Sequence, residues 1–243
     1  IDDGPGLIKT ENARLNGWIY IDIEGRDLGS YVHDAKQLVA DRVDLPTGYS
    51  ISWSGQYEFM VRAVERLSTV VPVTLVIIVL LLYINFRNLV EVFIIMGTLP
   101  LALVGGFWLL YILDYNLSIA VGVGFIALAG VAVEIGVVML VYLNQALRQH
   151  QDKTAVSGAG IGIDQVRAAV IDGALLRVRP IMMTVATIIA GLMPIMLGSG
   201  AGSEVMRRIA APMVGGMVSA TLLTLVVIPA VFLLWKQRQL DSS

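Results

Sequence analysis

Cysteine is absent from all 243 residues, which excludes disulfides and thiolate metal sites within the chain. Charge is scarce at 15% of residues, and the net charge of -2 comes with no basic stripe, so a nucleic-acid partner is not expected. The two histidines, His33 and His150, lie far apart without ligand spacing and are read as bystanders. No Ser/His/Asp or Cys/His nucleophile set occurs, so enzymatic chemistry has no support and no cofactor is called for. The glycine run Ser157–Gly162 (SGAGIG) lacks the Gly-Lys-Ser/Thr ending of a phosphate-cradling loop and reads as a linker. Any work done by such a chain is expected to draw on an ion gradient rather than on ATP.

What the sequence has instead is apolar length. Hydrophobic residues make up 56% of the chain, and the mean hydropathy is +0.77. Five runs approach or exceed the length needed to cross a bilayer as helices, at about 67–86, 92–113, 117–143, 180–199 and 209–235. The expected fold class is therefore an α-helical membrane protein. Arg87, then Arg148, Lys153, Arg167, Arg177 and Arg179, then Lys236 and Arg238 fall on one side of these spans. The positive-inside rule makes that side cytoplasmic, with a cytoplasmic loop at 148–179 and a cytoplasmic tail at 237–243. Arg207 and Arg208 oppose the trend without overturning it.

Residues 1–66 read as water-soluble structure on the other, extracytoplasmic side. Trp18–Glu24 alternates apolar and polar residues as a strand does, and Tyr49, Ile51 and Trp53 alternate with serines in the same way. Between them Asp27 can cap a helix bearing Leu28, Val32, Ala35, Val39 and Val43 at helical spacing. A single β-α-β unit cannot close its own core, so its sheet is expected to be completed upstream of Ile1. With no Met at position 1, the chain reads as the C-terminal fragment of something larger.

Glu134 is the only charged residue between Tyr115 and Leu147. A carboxylate at mid-span costs roughly 2.5–3.5 kcal/mol on insertion scales, so such residues usually face a protein interior and carry function. Ala127, Gly130 and Val131 share its face, and small residues let helix backbones approach closely. The carboxylate is therefore expected to point into a packed interface. Close packing and helix sliding would each explain the glycines of the third and fifth spans.

Of the 10 methionines, most are expected to be flexible core fillers. Met206 stands out because it lies in the polar stretch Gly198–Arg208, where no filler is needed. Its thioether is a soft ligand suited to Cu(I) and, by the same softness, Ag(I).

The run Gly130–Leu140 (GVAVEIGVVML) resembles the tenth membrane helix of the heavy-metal efflux branch of resistance-nodulation-division (RND) exporters. Leu175–Pro180 (LLRVRP) with Met183-Thr184, Gly200–Met206 (GAGSEVM) and Ile209–Met217 (IAAPMVGGM) resemble its last two helices. The likeness covers essentially the whole chain and is strongest to the copper/silver members. It implies five spans corresponding to helices eight to twelve, preceded by the last half of a periplasmic porter subdomain. It also implies an inner-membrane homotrimer working with a periplasmic adaptor and an outer-membrane channel. Multidrug members usually carry Lys at the position of Glu134, divalent-metal pumps an apolar residue, and copper/silver pumps Glu. The resemblance thus makes Glu134 a proton-relay residue and Met206 a member of a thioether relay for Cu(I) or Ag(I). One departure is Ile181, where the copper/silver pump has a relay Lys directly after Arg-Pro. The family's substrate-binding methionines and its fourth-helix Asp would lie upstream of Ile1. The competing readings are an exporter of divalent metals or small organic molecules, and a non-transporting membrane scaffold.

Overall fold

A computed structural model describes residues 9–241 except 12, 24, 157–161 and 201. Most of the glycine linker at 157–162 and the last two residues of the tail thus lie outside the described residues. The chain divides into two units, Ile1–Trp53 and Ser54–Ser243.

In the first unit, β1 (Lys9–Glu11) and β2 (Arg14–Asn16) pair antiparallel, with Thr10 opposite Leu15. α1 (Leu28–Arg42) starts where its cap predicts. The Ser30 N–H donates to Asp27 Oδ2 at 2.8 Å, and the Ser30 hydroxyl donates to Oδ1 at 2.5 Å. Those two bonds hold the Asp27 carboxyl below the usual carboxylate range, the hydroxyl contributing most. The two expected strands of the β-α-β unit are unpaired among the described residues. Neither the 18–23 segment nor Tyr49–Trp53 is in a ladder, and Ile19 is 88% exposed. A strand needs a neighbour for its N–H and C=O groups and an opposing surface for its apolar face. Among the described residues neither is provided, so the alternation is present without a sheet.

In the second unit, five helices are long and apolar enough to cross a membrane: α2 (Gln56–Phe86), α3 (Leu89–Ile112), α4 (Ile119–Val156), α5 (Ile163–Leu197) and α6 (Ser203–Asp241). Each begins or ends beyond its apolar run. The expected cytoplasmic loop is therefore mostly helix, because α4 continues to Val156 and α5 begins at Ile163, well before its apolar run. Pro180 lies inside α5 rather than in a first turn, leaving the Leu176 carbonyl without its usual helical donor.

α3, α4 and α6 form the core. Ile95 from α3, Leu128, Met139, Leu140 and Leu143 from α4, and Met217, Ile228 and Phe232 from α6 are fully buried together. α3 and α6 cross so closely that a Cβ on Gly215 would strike the Gly105 carbonyl oxygen, and one on Gly105 would strike Ser219. The Ser219 hydroxyl donates to the Ala102 carbonyl at 2.8 Å across this crossing. Gly124 approaches the Ile209 carbonyl in the same manner. These glycines are sites of backbone contact. Gly122 and Gly130, in contrast, have open space where a Cβ would be.

Candidate functional site

α4 presents two faces. Ala132, Ile135, Met139 and Leu143 turn inward, while Val123, Ile126, Gly130, Glu134 and Val141 form an exposed stripe at helical spacing. Among the described residues Glu134 lies exposed on this stripe. The reason is geometric: α3 and α6 cover the opposite side of α4, and α5 covers this side only in part.

Where α5 does meet that side, a groove of about 110 Å³ forms. Glu134 and Val131 line it from α4, with Arg177, Ile181, Thr184 and Ile188 from α5. Arg177 brings a fixed positive charge to the groove. Its guanidinium stacks over the Tyr142 ring at 4.4 Å, and its buried Nε has no hydrogen-bond partner among the described residues. The Thr184 hydroxyl donates to the Pro180 carbonyl at 3.1 Å. Ile181 lies one helical turn from Arg177 on the same wall and is buried. A titratable carboxylate, an arginine with an unused donor and a hydroxyl therefore share one cleft. In the sequence Arg177 stands among the loop cations, 43 residues from Glu134. Its signal was the four-residue spacing from Ile181, which puts the two side chains on one face.

Met206 lies at the other end of the bundle. It occupies the first turn of α6, not a loop, and is 57% exposed. Beside it the Arg207 guanidinium donates to the Gly198 carbonyl, tying the end of α5 to the start of α6. Glu134 and Met206 are thus not brought together. Met139 and Met217 are fully buried fillers, as expected of most methionines here. No cluster of three His, Asp or Glu side chains able to hold a metal occurs among the described residues. His150 does have a partner: its Nε2 lies 3.1 Å from Asp172 Oδ2, bridging α4 and α5.

Residues 2–236 match the AcrB/AcrD/AcrF family along nearly the entire sequence. The chain belongs to that family. It is 51% identical over 239 residues to the cation efflux system protein CusA of Escherichia coli K12, covering 98% of this chain and 23% of that protein. To the putative cation efflux system protein SilA of Salmonella typhimurium it is 51% identical over 241 residues, again 98% of this chain and 23% of the relative. A solved heavy-metal efflux pump superposes with a TM-score of 0.70 at 34% identity, over 88% of this chain and 20% of that one. Within the family the chain falls in the heavy-metal branch of RND exporters, as its motifs led one to expect. It spans about a quarter of the length of the curated relatives it matches. Its five apolar helices and these relatives make it a multi-pass inner-membrane chain.

Proposed function

We infer that this chain is part of a proton-driven exporter of monovalent soft metal cations, Cu(I) and Ag(I). The observation that carries the reading is the Glu134 groove, where a carboxylate alone on an apolar helix faces Arg177 and Thr184. A proton bound at Glu134 cancels its charge, and its release leaves a carboxylate beside the guanidinium. Each state favours a different packing of α4 against α5. Each proton moved through 100 mV contributes about 2.3 kcal/mol, so a few suffice to bias two packings. Met206 supplies an accessible thioether at the opposite end, on the side that the loop charges make periplasmic. Residues 1–66 are then a periplasmic porter segment. The complete protein works as a homotrimer with a periplasmic adaptor and an outer-membrane channel.

Ile181 favours a second reading, an exporter of divalent metals. It places an apolar side chain where the copper/silver members carry a relay lysine. Arg177, one turn away in the same groove, supplies a cation that answers this objection.

In the complete protein, Glu134→Gln should abolish silver and copper tolerance at unchanged protein level and trimer assembly. Wild-type tolerance in that variant would reduce Glu134 to a structural role. Loss of zinc or cobalt tolerance with silver and copper unaffected would transfer the reading to divalent metals.

A further inference from the structure

The carboxylate that this bundle does bury is Glu91, which is 6% exposed. It sits in the first turn of α3, three residues after the cap Asn88, whose side chain accepts from the Val90 N–H. From that position a glutamate commonly reaches back to the N–H of the cap residue. Glu91 instead crosses to α4, where its Oε2 accepts from Asn144 Nδ2 at 2.8 Å. The charges whose field reaches it are Lys236 of α6 and Arg148 of α4. α2, the remaining helix packed on α3, carries no charge between Leu67 and Phe86 and is followed by its cap Arg87.

Lys236 forms no ion pair with Glu91 among the described residues. Its ammonium lies 4.1 Å from the centre of the Trp235 ring and donates to Gln239 Oε1 at 3.3 Å. A buried carboxylate held by one neutral amide suits two protonation states. When ionised it accepts from the amide nitrogen, and when protonated its hydroxyl can donate to the amide oxygen after a flip of Asn144. A permanent arginine or lysine partner would favour the ionised form alone.

We propose that Glu91 is a second proton-binding site of the bundle, with Asn144 as partner in both forms and Lys236 as the cation that closes on the ionised form. On deprotonation the proton passes to water at the end of the bundle away from Met206. Lys236 then leaves the Trp235 face and draws the end of α6 toward α3 and α4. Reprotonation returns the lysine to the ring. Asn144 lies ten residues beyond Glu134, about 15 Å along α4, so each carboxylate addresses a different stretch of one helix. The site requires only that the end of α6 follows the charge on Glu91, and it stands whether or not Glu134 carries protons.

Nitroxide labels on Leu89→Cys of α3 and Leu240→Cys of α6, in the complete protein in lipid nanodiscs, report this distance by pulsed electron resonance. Leu89→Cys and Leu240→Cys would be the only cysteines of this chain, and any elsewhere in the protein would be replaced by serine. The distance should shorten by about 1–2 Å from mildly acidic to mildly alkaline pH, the scale of helix shifts at interfaces. Glu91→Gln keeps the shape and the Asn144 bond, and should hold the longer distance at every pH. Lys236→Gln should lose the response, and Lys236→Arg should regain it. Glu134→Gln should leave the response intact, which separates this site from the proposed relay. A wild-type protein without the response, or a Glu91→Gln variant that keeps it, would overturn the proposal. If Glu91→Gln fails to accumulate, persistence of the response in Lys236→Gln overturns it equally.

Discussion

Replacing Gly215 by alanine should destabilise the bundle far more than the same change at Gly122, although both are helical glycines in apolar spans. In an exposed helix interior, Gly→Ala gains about 0.8–1 kcal/mol of intrinsic propensity. A Cβ at Gly215 would stand 2.6 Å from the Leu109 Cβ and closer still to the Gly105 carbonyl oxygen. Neither is the far end of a flexible side chain, so α3 and α6 must move apart. That displacement also stretches the Ser219–Ala102 hydrogen bond, now 2.8 Å. Overpacking of this kind costs about 1–3 kcal/mol, which exceeds the propensity gain. At Gly122 nothing lies within 4 Å of the added carbon, so only the gain remains. The propensity gain is common to both variants, so the difference between them should be the overpacking cost, about 1–3 kcal/mol. Gly105→Ala strikes the same crossing, and the double variant should cost less than the sum, because the helices separate only once. Unfolding in mixed micelles, followed by the tryptophans, measures all four proteins. Equal stability of Gly215→Ala and Gly122→Ala would refute the argument that backbone contact, rather than helix flexibility, places glycine at 215.

Two further outcomes test the ends of the chain. Met206→Leu keeps most of the volume and removes the sulfur, so a packing role costs less than about 1.5 kcal/mol, whereas a transfer role loses silver tolerance at normal protein level. Met213→Leu is the control, and equal, negligible effects of both on silver tolerance would leave Met206 without a metal role. At α1, the Asp27 carboxyl is held below its unfolded range by Ser30, so its stabilisation is complete above the unfolded pKa. It is lost as pH falls through the lower folded value. Amide exchange in α1 should therefore quicken in strong acid, and Asp27→Ala should remove that acid step while costing about 1 kcal/mol at neutral pH. An unchanged acid step in Asp27→Ala would assign it to another group.

The five spans, the start of α1 and the family were legible because each depends on residues near one another in sequence. Hydrophobic length fixes a spanning helix, and Asp27 needs only Ser30 to cap one. The pairing of strands was not legible from alternation, since a ladder exists only where a second strand supplies its hydrogen bonds. Tertiary packing decided the rest. Depth along a helix can be counted, and so Glu134 was found. The side on which neighbours lie depends on how helices pack, and the placement of α5 against α4 brought Arg177 into the groove of Glu134. Glu91 was overlooked for the same reason. At the start of a helix, next to Arg87 and Asn88, a glutamate looks like an ordinary capping residue. Its hydrogen-bond partner is Asn144, 53 residues along the chain, and the α6 cation that acts on it, Lys236, lies further still.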